Sequence, residues 1–259
     1  MAIAPDPHRE NILAIDIGAT GIKFGVVDPS GHLVEPVRRI ATPYPCLPDR
    51  LIEVVVRVIQ GSGCLRVGIG FPGELVDGIV IEPGNLSRPG GITTEIDPRI
   101  HEAWLGFNLQ QAFRKASPQD IRVVNDAALA ALGYCDGVGR EIVFTLGTGF
   151  GIALVVDGSI ERIRDVGGEI FRDGQTYDQL LGELSRSQDQ ARWGQLLLWA
   201  VENFVEEFGA DTVHIGGGNA RLVDLSLFGD APYRIEVNDN LGTLRGAAKL
   251  FQHAESESS

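Results

Sequence analysis

Two glycine- and threonine-rich corners are the parts of this chain whose residue types and spacing are most suited to chemistry. The first corner, Gly18-Ala-Thr-Gly21, follows Asp16, and the second corner, Gly147-Thr-Gly149, lies in the other half of the chain. Each joins an apolar strand to another that ends in Val-Val-Asp. Glycine corners expose backbone N–H groups and admit an anion that a Cβ would keep away. One Gly-Thr-Gly alone is more typical of a plain hairpin turn, but the repetition favours a phosphate chain held from two sides.

The side chains beside these corners would complete a phosphate site. Thr20 and Lys23 add a hydroxyl and a cation to the first corner, and Thr148 adds a hydroxyl to the second. The Asp16 carboxylate suits Mg²⁺ held partly through water beside a phosphate chain. The predicted phosphate- and nucleotide-binding residues of the corners are Asp16, Gly18, Thr20, Lys23, Gly147, Thr148, Gly149 and Gly151.

A second candidate lies where the apolar run Ile121–Val124 ends in Asn125-Asp126 and helix-forming alanines follow. An Asn-Asp pair at this place is an ordinary helix cap in many proteins. In an open α/β sheet, however, strand ends face the ligand crevice. An aspartate there could accept the proton of an attacking hydroxyl.

The apolar runs and their breaks predict two similar successions of strands and helices. The first half is expected to hold strands near 11–17, 21–27, 32–38, 66–71 and 121–124, a hairpin at 74–81, a long loop at 82–98 and helices at 48–60 and 109–115. The second half is expected to hold strands near 141–147, 151–157 and 212–215 and helices at 190–208 and 242–252. This order indicates an α/β protein of two related domains with mixed sheets, 1–126 and 127–259, and a ligand cleft between them.

The predicted 190–208 helix has capping residues at both ends, and it could pack either against the core or against a second copy of the chain. Asp189 would begin the 190–208 helix and Gly209 would end it. Its Trp193, Leu197 and Trp199 have a spacing that suits a core face. A homodimer contact through the same helix is the alternative.

Composition excludes several classes of function. The net charge of -13 disfavours nonspecific binding to nucleic acid or to an anionic membrane. No stretch approaches the roughly 18 apolar residues of a membrane span, and the first residues lack a basic and apolar leader pattern. The three cysteines show neither close pairing nor a metal-type spacing with the five histidines. We therefore expect a cytoplasmic protein that has neither nucleic-acid nor membrane partners.

Five segments together resemble a known family. They are Asp16-Ile-Gly-Ala-Thr-Gly-Ile-Lys23, Gly70-Phe-Pro-Gly73, Val124-Asn-Asp-Ala127, Leu146-Gly-Thr-Gly-Phe-Gly151 and Ile215-Gly-Gly-Gly218. Their order and approximate spacing resemble the actin-like sugar kinases, and more closely the ROK family and its polyphosphate/ATP glucokinase branch, over residues 11–251. The resemblance implies two ribonuclease-H-like (actin-like ATPase) domains, with the last helix either in the second domain or packed back on the first.

The resemblance also implies roles for individual residues. Asp126 matches the general base that accepts the proton of a hexose hydroxyl, and Asn125 would help to orient the sugar. Gly73 and Asn85 would lie on the sugar side. Gly216, Gly217 and Gly218 match the adenosine-side loop. The implied cofactor is Mg²⁺, and the implied donor is ATP or polyphosphate.

Two features bear on the choice of donor and acceptor. The acidic composition favours ATP, because a long polyphosphate chain would need a basic track, and Arg162, Arg164 and Arg172 in a polar loop are more typical of a solvated surface. Family members usually carry Glu-x-Gly-His after the second corner, where this chain has Asp165-Val-Gly-Gly-Glu169. Asp165 or Glu169 would bind the sugar, and the preference for glucose is open.

Other departures from the family define what else the chain could be. The cysteine-rich segment that binds zinc in many ROK proteins is missing, so no structural zinc is expected. A DNA-binding regulator is disfavoured because only about ten residues precede the first strand. The altered 165–169 segment leaves open a catalytically weak sugar- or nucleotide-binding protein as the alternative to a kinase.

Overall fold

The computed structural model describes residues 10–256, which form two compact units. The first unit takes the described residues up to Leu129 and those from Thr243 onward, and the second runs from Ala130 to Gly242. Each unit contains a five-stranded sheet with parallel and antiparallel neighbours. The predicted α/β class with mixed sheets is therefore confirmed.

The first unit is built on a sheet with the strand order β3-β2-β1-β4-β7. Strands β1, β4 and β7 are parallel, and β2 and β3 are antiparallel to their neighbours. The strands are β1 (Ile12–Ile17), β2 (Ile22–Val27), β3 (Arg38–Ile40), β4 (Arg66–Phe71), the hairpin β5 (Glu74–Val76) and β6 (Ile79–Glu82), and β7 (Asp120–Asn125). The helices are α1 (Pro48–Ser62), α2 (Pro98–Trp104), α3 (Leu109–Ala116) and α4 (Asp126–Tyr134).

Local sequence explains the main elements of this unit. Nearly every residue of β1 is buried, as expected for a central strand covered on both faces. Helix α1 buries Leu51, Val55 and Ile59 at four-residue spacing against that sheet. Gly63 ends α1 in the left-handed conformation with φ of 71°.

The prediction of a strand at 32–38 was wrong. Only an isolated bridge from Leu33 to Val27 forms there, and the third strand is instead β3 at Arg38–Ile40. Pro36 lacks the N–H that a strand would donate, and Val34 is 46% exposed, so the apolar residues of this stretch do not form a buried face. The loop expected at 82–98 contains a short 3-10 turn at Gly84–Ser87.

The second unit has the sheet order β10-β9-β8-β13-β14. Its strands are β8 (Arg140–Leu146), β9 (Phe150–Val156), β10 (Ser159–Glu161), the hairpin β11 (Ile170–Arg172) and β12 (Gln175–Thr176), β13 (Thr212–Gly216) and β14 (Arg234–Val237). Its helices are α5 (Tyr177–Leu181), α6 (Glu183–Gln188) and α7 (Gln190–Phe208). Apart from the small hairpins, the two sheets share one topology: a first strand pairs with an antiparallel hairpin partner on one side and a parallel strand on the other. Each corner joins the first two strands of its sheet.

Helix α7 begins and ends where the sequence predicts. Asp189 accepts a hydrogen bond of 3.0 Å from Arg192 N–H, and Gly209 ends the helix with φ of 61°. Trp193 and Leu197 lie in the core, but Trp199 does not. It is 37% exposed, and its ring packs against the Arg172 guanidinium at 3.8 Å. The prediction of a core role was therefore wrong for Trp199.

The chain returns to the first unit in its last helix, α8 (Gly242–Ser256). Leu244 packs against Gly25, and the Arg122 guanidinium lies over the Phe251 ring at 4.5 Å. Gly68 makes room for the helix, because an added Cβ there would lie 2.7 Å from the Ala247 Cβ. No helix within residues 10–256 is long and apolar enough to cross a membrane.

Candidate active site

Within the described residues, three of the four carbonyl oxygens of the first corner accept hydrogen bonds, whereas only one of its four N–H groups donates one. Thr42 donates to the Gly18 carbonyl at 2.5 Å, and Tyr44 donates to the Ala19 carbonyl at 2.7 Å. Gly18 N–H closes the turn on the Gly21 carbonyl at 3.1 Å. Within residues 10–256, the N–H groups of the other three corner positions have no hydrogen-bond partner. Groups of N–H donors of this kind are typical of anion-binding concavities.

Asp16 and Lys23 form an ion pair beside this corner. Lys23 Nζ lies 2.9 Å from Asp16 Oδ2, and both side chains are only 18% exposed. Thr243, at the start of α8, donates to the same oxygen at 3.0 Å. Asp16 on β1 and Lys23 on β2 are directly opposite each other in the strand pairing. A cation and a carboxylate are therefore held next to the turn.

The second corner repeats the arrangement with different partners. Asn219 Nδ2 donates to the Gly147 carbonyl at 3.2 Å, and Gly147 N–H closes the turn on the Gly149 carbonyl at 3.1 Å. The Thr148 carbonyl accepts from Glu183 N–H at 3.4 Å. The N–H groups of Thr148 and Gly149 have no hydrogen-bond partner in the described part of the chain.

Asp178, near the start of α5, supports the second corner. Its Oδ1 accepts a hydrogen bond of 2.8 Å from Phe150 N–H. A Cβ on Gly149 would overlap this carboxylate, and one on Gly167 would lie 2.9 Å from it. Asp178 N–H also donates to the Gly167 carbonyl at 2.9 Å. One residue thus connects the second corner to the 165–169 segment.

The triple-glycine loop after β13 packs on the second corner. A Cβ on Gly217, whose φ is 89°, would overlap the Leu146 carbonyl, and one on Gly216 would overlap the Tyr134 ring. Asn219 N–H, just after the loop, donates to the Leu146 carbonyl at 3.0 Å. Gly218 has no atom within 4 Å of an added Cβ. The second unit therefore brings together the predicted phosphate corner and the predicted adenosine-side loop.

At the junction of β7 and α4, Asn125 acts as a helix cap. Its Oδ1 accepts from Ala128 N–H at 3.1 Å, while its Nδ2 donates to the Gly73 carbonyl at 3.0 Å. The expected cap is therefore present, and the same amide ties the Gly70–Gly73 turn to the junction. Contact between Asn125 and a sugar stays a prediction.

Asp126 is half-buried at the first position of α4. Its Oδ1 accepts from Ala127 N–H at 2.7 Å. Gly70 lies between the two aspartates: it is the register partner of Asp16 on β1, and a Cβ added to it would lie 3.3 Å from Asp126 Cα. Because Gly70 has no side chain, no Cβ separates Asp16 from Asp126, and both residues lie at the same end of the strands.

Gly73, a predicted sugar-side residue, packs against the 82–84 stretch that leads to Asn85. A Cβ on Gly73 would overlap the Glu82 carbonyl, and one on Gly84 would lie 2.5 Å from the Pro72 carbonyl. Asn85 follows in the same 3-10 turn, where its Oδ1 accepts from Arg88 Nε at 3.0 Å.

The two acidic residues proposed for the sugar in the second unit have different surroundings. Glu169 accepts two hydrogen bonds from Arg164 Nε at 3.0 and 3.2 Å, and Arg164 also pairs with Glu207 at 2.7 Å. These acceptors raise the pKa of Arg164 further, so its charge is permanent. Asp165 is exposed and accepts only a backbone hydrogen bond, of 3.0 Å, from Gly167 N–H. Of the two carboxylates, Asp165 is the one with a vacant oxygen.

Three buried side chains of the second unit form a cluster that the sequence spacing did not predict. Cys135, Glu141 and His214 place one ligand-type atom each within 4.8 Å of one another. Glu141 accepts from His214 Nε2 at 2.8 Å and from the N–H groups of Asp136 at 3.0 Å, Gly137 at 2.6 Å and Val138 at 3.2 Å. Because this carboxylate is fully engaged, the cluster is a structural network that holds the turn after α4.

Several residues of the site were missed by the sequence reading. Asp178, Asn219 and Thr243 orient the corners and Asp16, yet each lies far along the chain from its partner. No local motif links any of them to its partner, although Asp178 follows closely on the capping box of α5. The residues that the sequence did predict lie in two groups: the first corner with the strand-end aspartates in the first unit, and the second corner with the triple-glycine loop and the 165–169 segment in the second unit.

Comparison with known proteins agrees with this architecture. Two mixed sheets of one topology, each with a glycine corner between its first two strands, match an actin-like ATPase fold. The family model described as "ROK family" matches residues 12–170, which is more than half of the chain. The chain therefore belongs to the ROK family, and the predicted resemblance is confirmed.

Relatives within that family are distant. The polyphosphate glucokinase of Mycobacterium tuberculosis (strain H37Rv) is 25% identical over 224 residues, which cover 81% of this chain and 78% of the relative. The glucokinase of Thermotoga maritima is 27% identical over 168 residues, or 61% of this chain and 49% of the relative.

Solved structures give the same picture. The inorganic polyphosphate/ATP-glucomannokinase from Arthrobacter sp. strain KM has a TM-score of 0.76 and 25% identity, and the match covers 95% of this chain and 100% of that one. A ROK family glucokinase from Streptomyces griseus, solved in complex with glucose and AMPPNP, has a TM-score of 0.70 and 19% identity, covering 94% and 99%. The latter likeness bears on the fold alone.

Proposed function

We propose that this protein is a sugar kinase that transfers the terminal phosphoryl group of ATP or polyphosphate to a hexose hydroxyl. The observation that carries the proposal is the position of Asp126, next to Gly70 and at the same end of the sheet's strands as Asp16 and Lys23. A candidate base thus lies at the strand ends beside a phosphate corner. The relatives whose names include glucokinase support the same chemistry.

In this mechanism Asp126 accepts the proton of the sugar hydroxyl while that oxygen attacks the terminal phosphorus. The new oxygen–phosphorus bond forms as the bond to the bridging oxygen of the donor breaks in line. The N–H groups of the corners bind the phosphate oxygens, and Lys23 supplies a positive charge. Asn125 acts by holding the Gly73 turn, beside which the sugar binds.

Asp16 fits Mg²⁺ by the chemistry of its donor. Mg²⁺ prefers carboxylate and water oxygens and usually keeps several waters. Asp16 Oδ2 accepts from Lys23 and Thr243, while Oδ1 accepts no hydrogen bond from the described residues. We propose that Asp16 holds the ion mainly through water. When bound, Mg²⁺ neutralises charge on the donor phosphates.

For the acceptor, we propose Asp165 rather than Glu169 as the sugar contact of the second unit, because Arg164 occupies the Glu169 carboxylate. Gly168 stands where the family usually has histidine. An added Cβ there meets no atom within 4 Å, so the position has room that glucose-specific relatives would fill. The identity of the hexose is therefore best sought with a panel that includes amino and acyl amino sugars.

We further propose a cytoplasmic setting without nucleic-acid partners or structural zinc. The three cysteines are buried and form no disulfide within residues 10–256, which suits a reducing compartment. A homodimer contact would use Trp199, on the exposed side of α7, together with Arg172 of β11, whose guanidinium lies over the Trp199 ring.

The test is Asp126→Asn assayed with Mg²⁺, ATP or polyphosphate, and the sugar panel. We expect the turnover number to fall by about 10²–10⁴-fold, because general-base catalysis typically contributes that much, with donor and sugar binding retained. Asp120→Asn, on the exposed end of the same strand, is the matched control and should leave turnover unchanged. Unchanged turnover in Asp126→Asn would remove Asp126 as the base.

The same assay separates the kinase from the alternative, a catalytically weak sugar- or nucleotide-binding protein. The observation that favours this alternative is that Arg164 occupies the Glu169 carboxylate. Phosphorylated product from any donor and sugar pair excludes a pure binding protein. Binding of sugar without product from every pair would support it.

A further inference from the structure

Arg39 is a cation at the first corner that the sequence motifs did not include. It lies on the edge strand β3, where its register partner is Lys23, and Lys23 in turn pairs with Asp16. Directly opposed residues of antiparallel strands project their side chains to the same face of the sheet. Asp16, Lys23 and Arg39 therefore form one row across three strands.

The Arg39 guanidinium lies on the corner itself. Its NH2 group donates a hydrogen bond of 2.9 Å to Thr20 Oγ1. A Cβ on Gly21 would lie 2.5 Å from Arg39 Nε and 3.0 Å from its NH2 nitrogen. The guanidinium thus lies against the corner backbone, most of whose N–H groups have no partner among the described residues.

This charge is not neutralised by a neighbour. No described carboxylate lies within ion-pair distance of Arg39, and its side chain is exposed. The neighbouring Arg38, by contrast, lies 3.9 Å from Glu35. In a chain with a net charge of -13, an unpaired guanidinium beside a cluster of N–H groups is a local positive site. With NH2 on Thr20, the remaining N–H groups of the fork suit phosphate oxygens.

We propose that Arg39 binds a phosphate group of the donor other than the one transferred, so that the first corner selects donors with a chain of linked phosphates. The strand order gives the direction: β3 and β7 are the opposite edges of the sheet, so Arg39 approaches the corner from the side away from Asp126. This inference rests on the proposed function. ATP and polyphosphate share the chemistry that would be recognised.

The experiment compares Arg39→Ala, Arg39→Lys and Arg39→Gln, with Arg38→Ala as the matched control on the opposite face of the same strand. We expect Arg39→Ala to raise the KM for the donor at least about tenfold, as for loss of a hydrogen bond to a charged group. The turnover number and the KM for sugar should change less than about twofold, as in Arg38→Ala. Lysine should restore more of the affinity than glutamine, because it keeps the charge.

The ATP and polyphosphate arms distinguish the two sources. An equal loss with both assigns Arg39 to phosphates that they share, and a loss with polyphosphate alone assigns it to the longer chain. A loss of turnover without a change in donor KM would overturn the proposal. So would equal rescue by lysine and glutamine, which would indicate that Arg39 only orders the corner.

A binding measurement separates this proposal from the proposed function. Titration calorimetry with inorganic tripolyphosphate needs no sugar and no turnover. Weaker binding by Arg39→Ala than by Arg38→Ala would support Arg39 even if no sugar is phosphorylated. Equal binding by these two variants would overturn it even if the protein is a kinase.

Discussion

Thr243 donates a hydrogen bond of 3.0 Å to Asp16, although 227 positions separate the two residues in the chain. The bond joins the start of the last helix to the end of the first strand. Since Lys23 donates to the same carboxylate oxygen at 2.9 Å, Asp16 is held from two sides. The orientation of the proposed Mg²⁺ ligand thus depends on a helix at the other end of the sequence.

Replacement of Thr243 by valine should therefore loosen Asp16 without changing side-chain size much. We expect a several-fold rise in the Mg²⁺ concentration needed for half-maximal activity and a loss of about 1 kcal/mol in the free energy of unfolding, typical of one hydrogen bond. Thr243→Ser keeps the hydroxyl and is the matched control. Identical Mg²⁺ dependence in the valine and serine variants would contradict this role.

Asp178→Ala should weaken the second corner, because Phe150 N–H loses its acceptor and space opens beside Gly149. We expect a rise in donor KM and also a rise in sugar KM, since Asp178 contacts Gly167 in the 165–169 segment. Asp178→Asn keeps an oxygen that can accept from Phe150 N–H, so its donor KM and sugar KM should be closer to those of the original protein than the values for Asp178→Ala. Steady-state kinetics in both substrates would decide, and a change in neither KM would refute the connection.

Gly73→Ala should lower stability, because a Cβ at this position overlaps the Glu82 backbone carbonyl, which cannot rotate away. Overpacking of this kind costs about 1–3 kcal/mol, measured as the free energy of unfolding in urea. Gly61→Ala in α1 is the contrasting control: no atom lies within 4 Å of the added Cβ, so stability should rise by up to about 1 kcal/mol. The prediction fails if both variants are equally stable.

Glu141 should make the stability of the protein depend on pH in the acid range. Burial raises the pKa of Glu141, but hydrogen bonds from His214 and from the N–H groups of Asp136 and Gly137 outweigh it, so the pKa lies below its usual value. A lowered pKa contributes stability above the pKa of the unfolded chain, about 4.3, and that contribution is lost as the pH falls through the folded value.

The measurement is chemical unfolding of the original protein and of Glu141→Gln between pH 7 and pH 3. The variant should be less stable at pH 7, and the difference should shrink as the pH falls through this range. Comparing the two proteins removes the effect of the other carboxylates, Glu236 near His214 included. A difference that stays constant with pH would show that the Glu141 charge is not involved.

Much of the fold follows from local sequence. The bounds of α7 were predictable because Asp189 and Gly209 are capping residues that act within one helical turn. The two corners and the β7–α4 junction were predictable for the same reason, since each is a short motif between apolar strands. The prediction for 32–38 failed because Val34 and Val37 have a high intrinsic preference for strands but are exposed in the structure. Strand formation also depends on burial against neighbours that are distant in sequence.

The amino-acid sequence establishes which groups are present: two corners rich in N–H donors, the carboxylates Asp16 and Asp126, and an altered sugar segment. Folding establishes which partners these groups contact. It brought Thr243 to Asp16, Asp178 to the second corner and Arg39 to Thr20, and it occupied Glu169 with Arg164. Hydrogen bonds and ion pairs depend on distance and angle in space. Spacing along the chain does not specify either of these once the partners lie on different elements.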